Sequence, residues 1–124
     1  MIEQRTILLI DDTPENLRFL GEILEQKGYE VLVATDGARA LKFAASTPAP
    51  DLILLDIMMP KMDGHEVCLR LKAAPETAKI PVIFISALGM DGQKIQGYSE
   101  GAAGYITKPF QIEDVLTIVT KFLQ

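Results

Sequence analysis

Pro50-Asp51-Leu52-Ile53-Leu54-Leu55-Asp56-Ile57-Met58-Met59-Pro60 is the stretch on which the reading of this chain turns. Four consecutive aliphatic residues, Leu52 to Leu55, inside proline boundaries describe a central strand buried on both faces. Asp56 is out of keeping with it, because an ionised carboxylate at the end of a dry strand is costly unless a cation or hydrogen-bond donors meet it there. Such an aspartate is either a turn or helix cap, or a reactive or metal-binding group. The rest of the chain decides between the two.

Working outward toward the N-terminus, Ile7 to Ile10 is a second apolar run and ends in Asp11-Asp12. Thr13-Pro14-Glu15 then offers a capping side chain, a proline suited to the first helical position and an acid in the first turn. Leu17, Leu20, Ile23 and Leu24 give this helix one apolar face, and Lys27-Gly28 stops it. Glu30 to Ala34 reads as a strand through Val31 and Val33. Asp36 caps a helix with Ala40, Leu41 and Ala44 inward, which ends at Pro48-Ala49-Pro50.

Outward in the other direction, Pro60-Lys61-Met62-Asp63-Gly64 is a run of turn residues, and His65 to Ala73 is helical through Val67, Cys68 and Leu71, with Pro75 as its stop. Val82 to Ile85 is a fourth buried strand leading into Ser86-Ala87. Residues 89–101 carry a helical pattern weakened by Gly92 and Gly97, each costing on the order of 1 kcal/mol relative to alanine. Tyr105-Ile106-Thr107 is a short strand running into Lys108. Ile112 to Leu123 is a last helix with Val115, Leu116, Val119 and Phe122 inward.

Five strands alternating with five helices predict a flavodoxin-like, doubly wound (βα)5 sandwich: a parallel sheet in the order 2-1-3-4-5, covered on both faces. At 124 residues, positions 1–124 are expected to form a single domain. Twelve basic residues against 17 acidic ones give a net charge of −5, and no Lys/Arg run is present, which argues against direct nucleic-acid binding. No apolar run approaches membrane length, and Met1-Ile2-Glu3-Gln4-Arg5 leads into no signal-type core, so a cytoplasmic protein with no membrane partner is expected. The only cysteine, Cys68, and the only histidine, His65, are read as packing residues.

In this strand order the carboxyl ends of strands one and three meet where the order reverses, which is where such sheets bind ligands. Asp11, Asp12, Asp56, Ser86 and Lys108 all stand at strand ends, and should converge there. Three carboxylates in one crevice would raise one another's pKa values unless a cation sat among them, and an all-oxygen donor set suits magnesium better than zinc or iron. Lys108 and Ser86 are suited to receive phosphoryl oxygens. Together these groups predict phosphoryl transfer to Asp56 itself, giving an aspartyl phosphate.

These residues resemble the receiver domains of bacterial two-component response regulators. The likeness runs through Ile10-Asp11-Asp12-Thr13-Pro14, the Leu55-to-Pro60 block with Met62-Asp63-Gly64, Ile85-Ser86-Ala87, and Gly101-Ala102 before Tyr105-Ile106-Thr107-Lys108-Pro109-Phe110. It implies that Asp56 accepts a phosphoryl group from a phosphohistidine on a sensor histidine kinase or histidine phosphotransfer protein. It further implies that Asp12, Asp56 and the backbone carbonyl of Met58 bind Mg2+, with Asp11 acting directly or through water. By the same likeness Lys108 contacts the phosphoryl oxygens, its bond to Pro109 is cis, and Ser86 and Tyr105 form a switch pair. The switch would reshape the face of the fourth helix, fifth strand and last helix, and so govern an effector that the sequence does not name. The domain would promote its own phosphorylation and slow dephosphorylation without being an enzyme in its own right.

Two departures from the family pattern stand out. Many DNA-binding regulators carry an acidic pair before the switch tyrosine and a basic last helix, whereas here Ala103-Gly104 and only Lys121 occupy those places, so a monomer or weak homodimer is expected. Met58 and Leu88, which flank the path of attacking water in the family, are both apolar, which predicts a long-lived phosphorylated state. Three other readings compete. A small aspartate-nucleophile phosphatase would need a proton donor two residues after Asp56, where Met58 stands. A flavin or nucleotide carrier would want a glycine- or hydroxyl-rich loop where Asp11-Asp12 would repel phosphate. A receiver that only binds partners, without signalling by phosphate, would have no use for the complete residue set.

Overall fold

A computed structural model describes residues 4–87, 101–108 and 110–123. Strands β1 (Thr6–Ile10), β2 (Glu30–Ala34), β3 (Leu52–Asp56), β4 (Val82–Ala87) and β5 (Gly104–Lys108) pair in parallel in the order β2-β1-β3-β4-β5. Helices α1 (Pro14–Gln26), α2 (Gly37–Ala44), α3 (Gly64–Ala73) and α4 (Ile112–Leu123) cover the sheet. This is the flavodoxin-like winding expected from the alternation of elements. The helix predicted over 89–101 lies, except for Gly101, outside the described residues, as do Leu88 and Pro109 with the expected cis bond; the cis X-Pro bond among the described residues is Thr47–Pro48.

The continuous aliphatic runs are explained by two cores, one on each face, because successive side chains of a strand point to opposite sides. Leu8, Ile10, Ile53, Leu55 and Phe84 meet Ala40 and Ala44 of α2 and Val67, Cys68 and Leu71 of α3. Ile7, Leu9, Leu52, Leu54, Ile83 and Ile85 meet Leu17, Leu20 and Leu24 of α1 and Val115 and Val119 of α4. A strand clothed on both sides has no polar face to show, so β3 reads Leu-Ile-Leu-Leu without alternation. Cys68 and His65 are both buried, the latter with its ring centroid 5.3 Å from that of Phe84.

Local signals held with some changes. Thr13 occupies the N-cap of α1, but its hydroxyl makes no cap bond; its own N–H donates to the carboxylate of Asp11 at 2.9 Å. Asp36 caps α2 as read, accepting from the Arg39 N–H at 2.8 Å. Helix α3 begins one residue earlier than the periodicity indicates, at Gly64, because Asp63 is its cap and accepts the Glu66 N–H at 3.0 Å. Strand β4 runs one residue past Ser86, to Ala87.

Candidate phosphoacceptor site

The site is assembled from strand ends. Register places Ile10 beside Leu55 and Asp56 beside Ile85, so the loop after β1 adjoins the end of β3, and Ser86 follows one step beyond Asp56 on β4. Ser86 lies opposite Thr107, and Ala87 opposite Lys108, on the β4–β5 side. The residue expected to react is therefore flanked by the acids on one side and by the hydroxyl and ammonium on the other. Asp11, Asp56 and Ser86 are buried, Asp56 to 4% exposure, while Asp12 is exposed.

Asp11, Asp12 and Asp56 can each offer a carboxylate oxygen such that all three atoms lie within 4.8 Å of one another. Across from them, Lys108 Nζ is 3.6 Å from Asp56 Oδ1. The Met58 N–H donates to the same oxygen at a long 3.4 Å. Burial is the main cause that pushes the Asp56 carboxyl up to about 6, with Asp11 adding to it and Asp12 less so, while Lys108 and the Met58 N–H oppose the rise. One ammonium and one weak amide bond do not compensate a buried carboxylate beside two others. A hard divalent cation fits this deficit and this all-oxygen donor set.

Sequence reasoning missed two supports. Asn16, in the first turn of α1, donates from Nδ2 to Asp11 Oδ2 at 3.2 Å, so Asp11 is held through one oxygen by Thr13 and through the other by Asn16. Its only sequence signal is an amide five residues after Asp11. The second is Gly64, whose N–H donates to Ile57 O at 2.9 Å. A Cβ there would fall 2.6 Å from Asp56 O and 2.7 Å from Ile57 Cα, so α3 approaches the backbone of Asp56 more closely than any side chain permits. The Asp63-Gly64 pair thus seats a helix directly against the candidate acceptor rather than merely turning the chain.

Tyr105, opposite Phe84 in the register, packs on the α2/α3-side core with its ring centroid 5.3 Å from that of Phe84. Met58, like Asp12, is exposed, with a side chain left 61% accessible. A cavity of about 290 Å³ adjoins the site, sharing Asp11 and Lys108 with it and extending over Phe19, Leu20 and Phe110.

The family model for the response regulator receiver domain matches residues 7–120. The chain belongs to that family. Its receiver architecture is shared with the Vibrio cholerae chemotaxis protein CheY4, at a TM-score of 0.90 and 28% identity, covering 98% of this chain and 100% of CheY4. It is 45% identical over 118 residues to the DNA-binding dual master transcriptional regulator RpaA of Synechocystis, covering 95% of this chain and 48% of RpaA. It is 49% identical over 110 residues to the response regulator PleD of Caulobacter vibrioides, covering 89% of this chain and 24% of PleD. The receiver thus spans about half of one relative and about a quarter of the other. Receiver domains are signal modules that take phosphoryl groups from histidine kinases, bind Mg2+ through an acidic pocket and act on downstream effectors. No described helix is long and apolar enough to cross a membrane.

Proposed function

We propose that residues 1–124 form a single phosphoacceptor receiver in which Asp56 takes the phosphoryl group from a phosphohistidine of a sensor histidine kinase or histidine phosphotransfer protein. The observation that carries this reading is the buried Asp56 carboxylate standing between the acids and Lys108, with Nζ 3.6 Å away. Asp11, Asp12, Asp56 and the carbonyl of Met58 are the ligands assigned to Mg2+. That ion, when bound, supplies the positive charge that lets an anionic phosphoryl group approach a carboxylate.

The chain's own residues do the rest. Asp56 is the nucleophile, kept in place by the backbone contact of Gly64 below it. Lys108 changes partner from the free carboxylate to the phosphoryl oxygens, and Asn16 with the Thr13 N–H keeps Asp11 aimed into the site. Ser86 turns its hydroxyl to the new phosphoryl group, and Tyr105 moves in response, altering the β5/α4 face read by an effector. The apolar Met58 gives water no partner beside Asp56, and by likeness to the family the apolar residue type at position 88 has the same effect, which supports a long-lived signal. The domain itself touches no nucleic acid, works in the cytoplasm and is a monomer or weak homodimer.

The test is incubation of the protein with acetyl phosphate and Mg2+, read by intact mass. One added phosphoryl group is expected, absent in Asp56→Asn and in metal-free samples. Phosphorylation that persists in Asp56→Asn would overturn the assignment.

A further inference from the structure

Two lines of contact run from Asp56 toward Tyr105. One follows the sheet: Ser86 stands one step beyond Asp56 on β4, and Tyr105 lies opposite Phe84 on β5. The other starts at the acceptor's backbone, where a Cβ on Gly64 would fall 2.6 Å from Asp56 O, so the first turn of α3 has no slack there. The next residue is His65, 7% exposed, whose ring centroid is 5.3 Å from that of Phe84 at a tilt of 49°. Phe84 is wholly buried, and its ring is in turn 5.3 Å from that of Tyr105 at 44°. These separations are those of aromatic rings in tilted contact. A close-packed interior transmits a displacement, and Phe84 has no exposed surface into which to yield. Tyr105, only half-buried, is free of that restriction.

We infer that His65 is a positioning residue: through Phe84 it couples the backbone at Asp56 to the orientation of Tyr105, as a second route beside the Ser86 hydroxyl. The inference rests on the reading of Asp56 as acceptor and Tyr105 as switch residue. No bond forms or breaks at His65. When a phosphoryl group loads Asp56, the shift of its backbone moves Gly64, His65 moves with it, and the Phe84 ring carries the change to Tyr105. A histidine that served packing alone would leave the response of Tyr105 unchanged when replaced by an apolar side chain of similar size.

The experiment follows Tyr105 by fluorine NMR of 3-fluorotyrosine in a Tyr29→Phe, Tyr98→Phe background, where it is the one tyrosine left. Spectra are taken before and after phosphorylation by acetyl phosphate and Mg2+, with the added phosphoryl group on Asp56 verified by intact mass in every sample. Phosphorylation should displace the Tyr105 resonance in the parent, and Ser86→Ala should keep part of that displacement. Adding His65→Leu to Ser86→Ala should remove the remainder, whereas His65→Phe, which keeps a ring in place, should retain it. If His65→Leu does not fold, Phe84→Leu breaks the same contact at its middle and must give the same loss. Complete loss of the displacement in Ser86→Ala alone, or its persistence after His65 or Phe84 has become leucine, would overturn the second route while leaving Asp56 as acceptor. Failure of Asp56 to gain a phosphoryl group in the parent would overturn the acceptor assignment and the route together.

Discussion

The Asp56 carboxyl is harder to ionise in the metal-free fold than in the unfolded chain, and this has a measurable consequence. Well below pH 3.8 the carboxyl is protonated in both folded and unfolded chains and carries no penalty. Between the unfolded value of 3.8 and the folded value of about 6 the folded chain holds the extra proton, so stability falls as pH rises through that window and the full penalty is present above it. A shift of this size corresponds to about 3 kcal/mol as an upper bound. Asp56→Asn is therefore expected to stabilise the metal-free protein by about 1–3 kcal/mol at pH 7.5 and by almost nothing at pH 4, measured by urea unfolding. Magnesium should reverse the order at pH 7.5, since binding to the folded parent stabilises it in proportion to the logarithm of ion over dissociation constant, and Asp12→Ala should abolish that gain in melting temperature.

Helix α3 and its entry turn carry the second set of predictions. Gly64→Ala should cost well over 2 kcal/mol, because the new Cβ must displace the backbone of Asp56 and Ile57 rather than a flexible side chain. It should also lower the phosphorylation rate, since the displaced backbone is that of the acceptor. Asp63→Ala removes only the cap and should cost about 1 kcal/mol with phosphorylation largely retained. Denaturation midpoints and acetyl phosphate kinetics on the pair separate helix capping from positioning of the acceptor. Lys61, at φ 67, occupies the left-handed region in the same turn, and Lys61→Gly is expected to raise stability by roughly 1 kcal/mol.

At the scale of the whole molecule, the sheet order places β1, β3 and β4 between neighbours, with β2 and β5 at the edges. Amide exchange should accordingly be slowest in Ile7–Ile10 and Leu52–Leu55 and faster in β2, whose Val33 is exposed. Slowest exchange in β2 would contradict the burial pattern. Much of this architecture was legible in the chain, because runs buried on both faces and acids at their carboxyl ends leave a distinctive pattern. The convergence of Asp11, Asp12, Asp56 and Lys108 followed from strand order alone. What could not be read were relations fixed only by three-dimensional neighbours. The grip of Asn16 on Asp11, the backbone contact that demands Gly64, and the bond from the Thr13 N–H to the Asp11 carboxylate all depend on which groups lie across a loop. Ser86, read as the end of its strand, stands one residue short of it, and only the register of Asp56 against Ile85 showed that it follows Asp56 by one step on the adjacent strand.

Phe84 lies between two rings, with the centroids of His65 and Tyr105 each 5.3 Å away, so an aromatic row links α3, β4 and β5. The chain has no tryptophan and only three tyrosines. Its ultraviolet emission and near-ultraviolet dichroism therefore come from very few chromophores, one of which stands in that row. Any rearrangement of Tyr105 on phosphorylation will register in those spectra directly, with Tyr105→Phe as the control, making the unlabelled protein its own optical reporter.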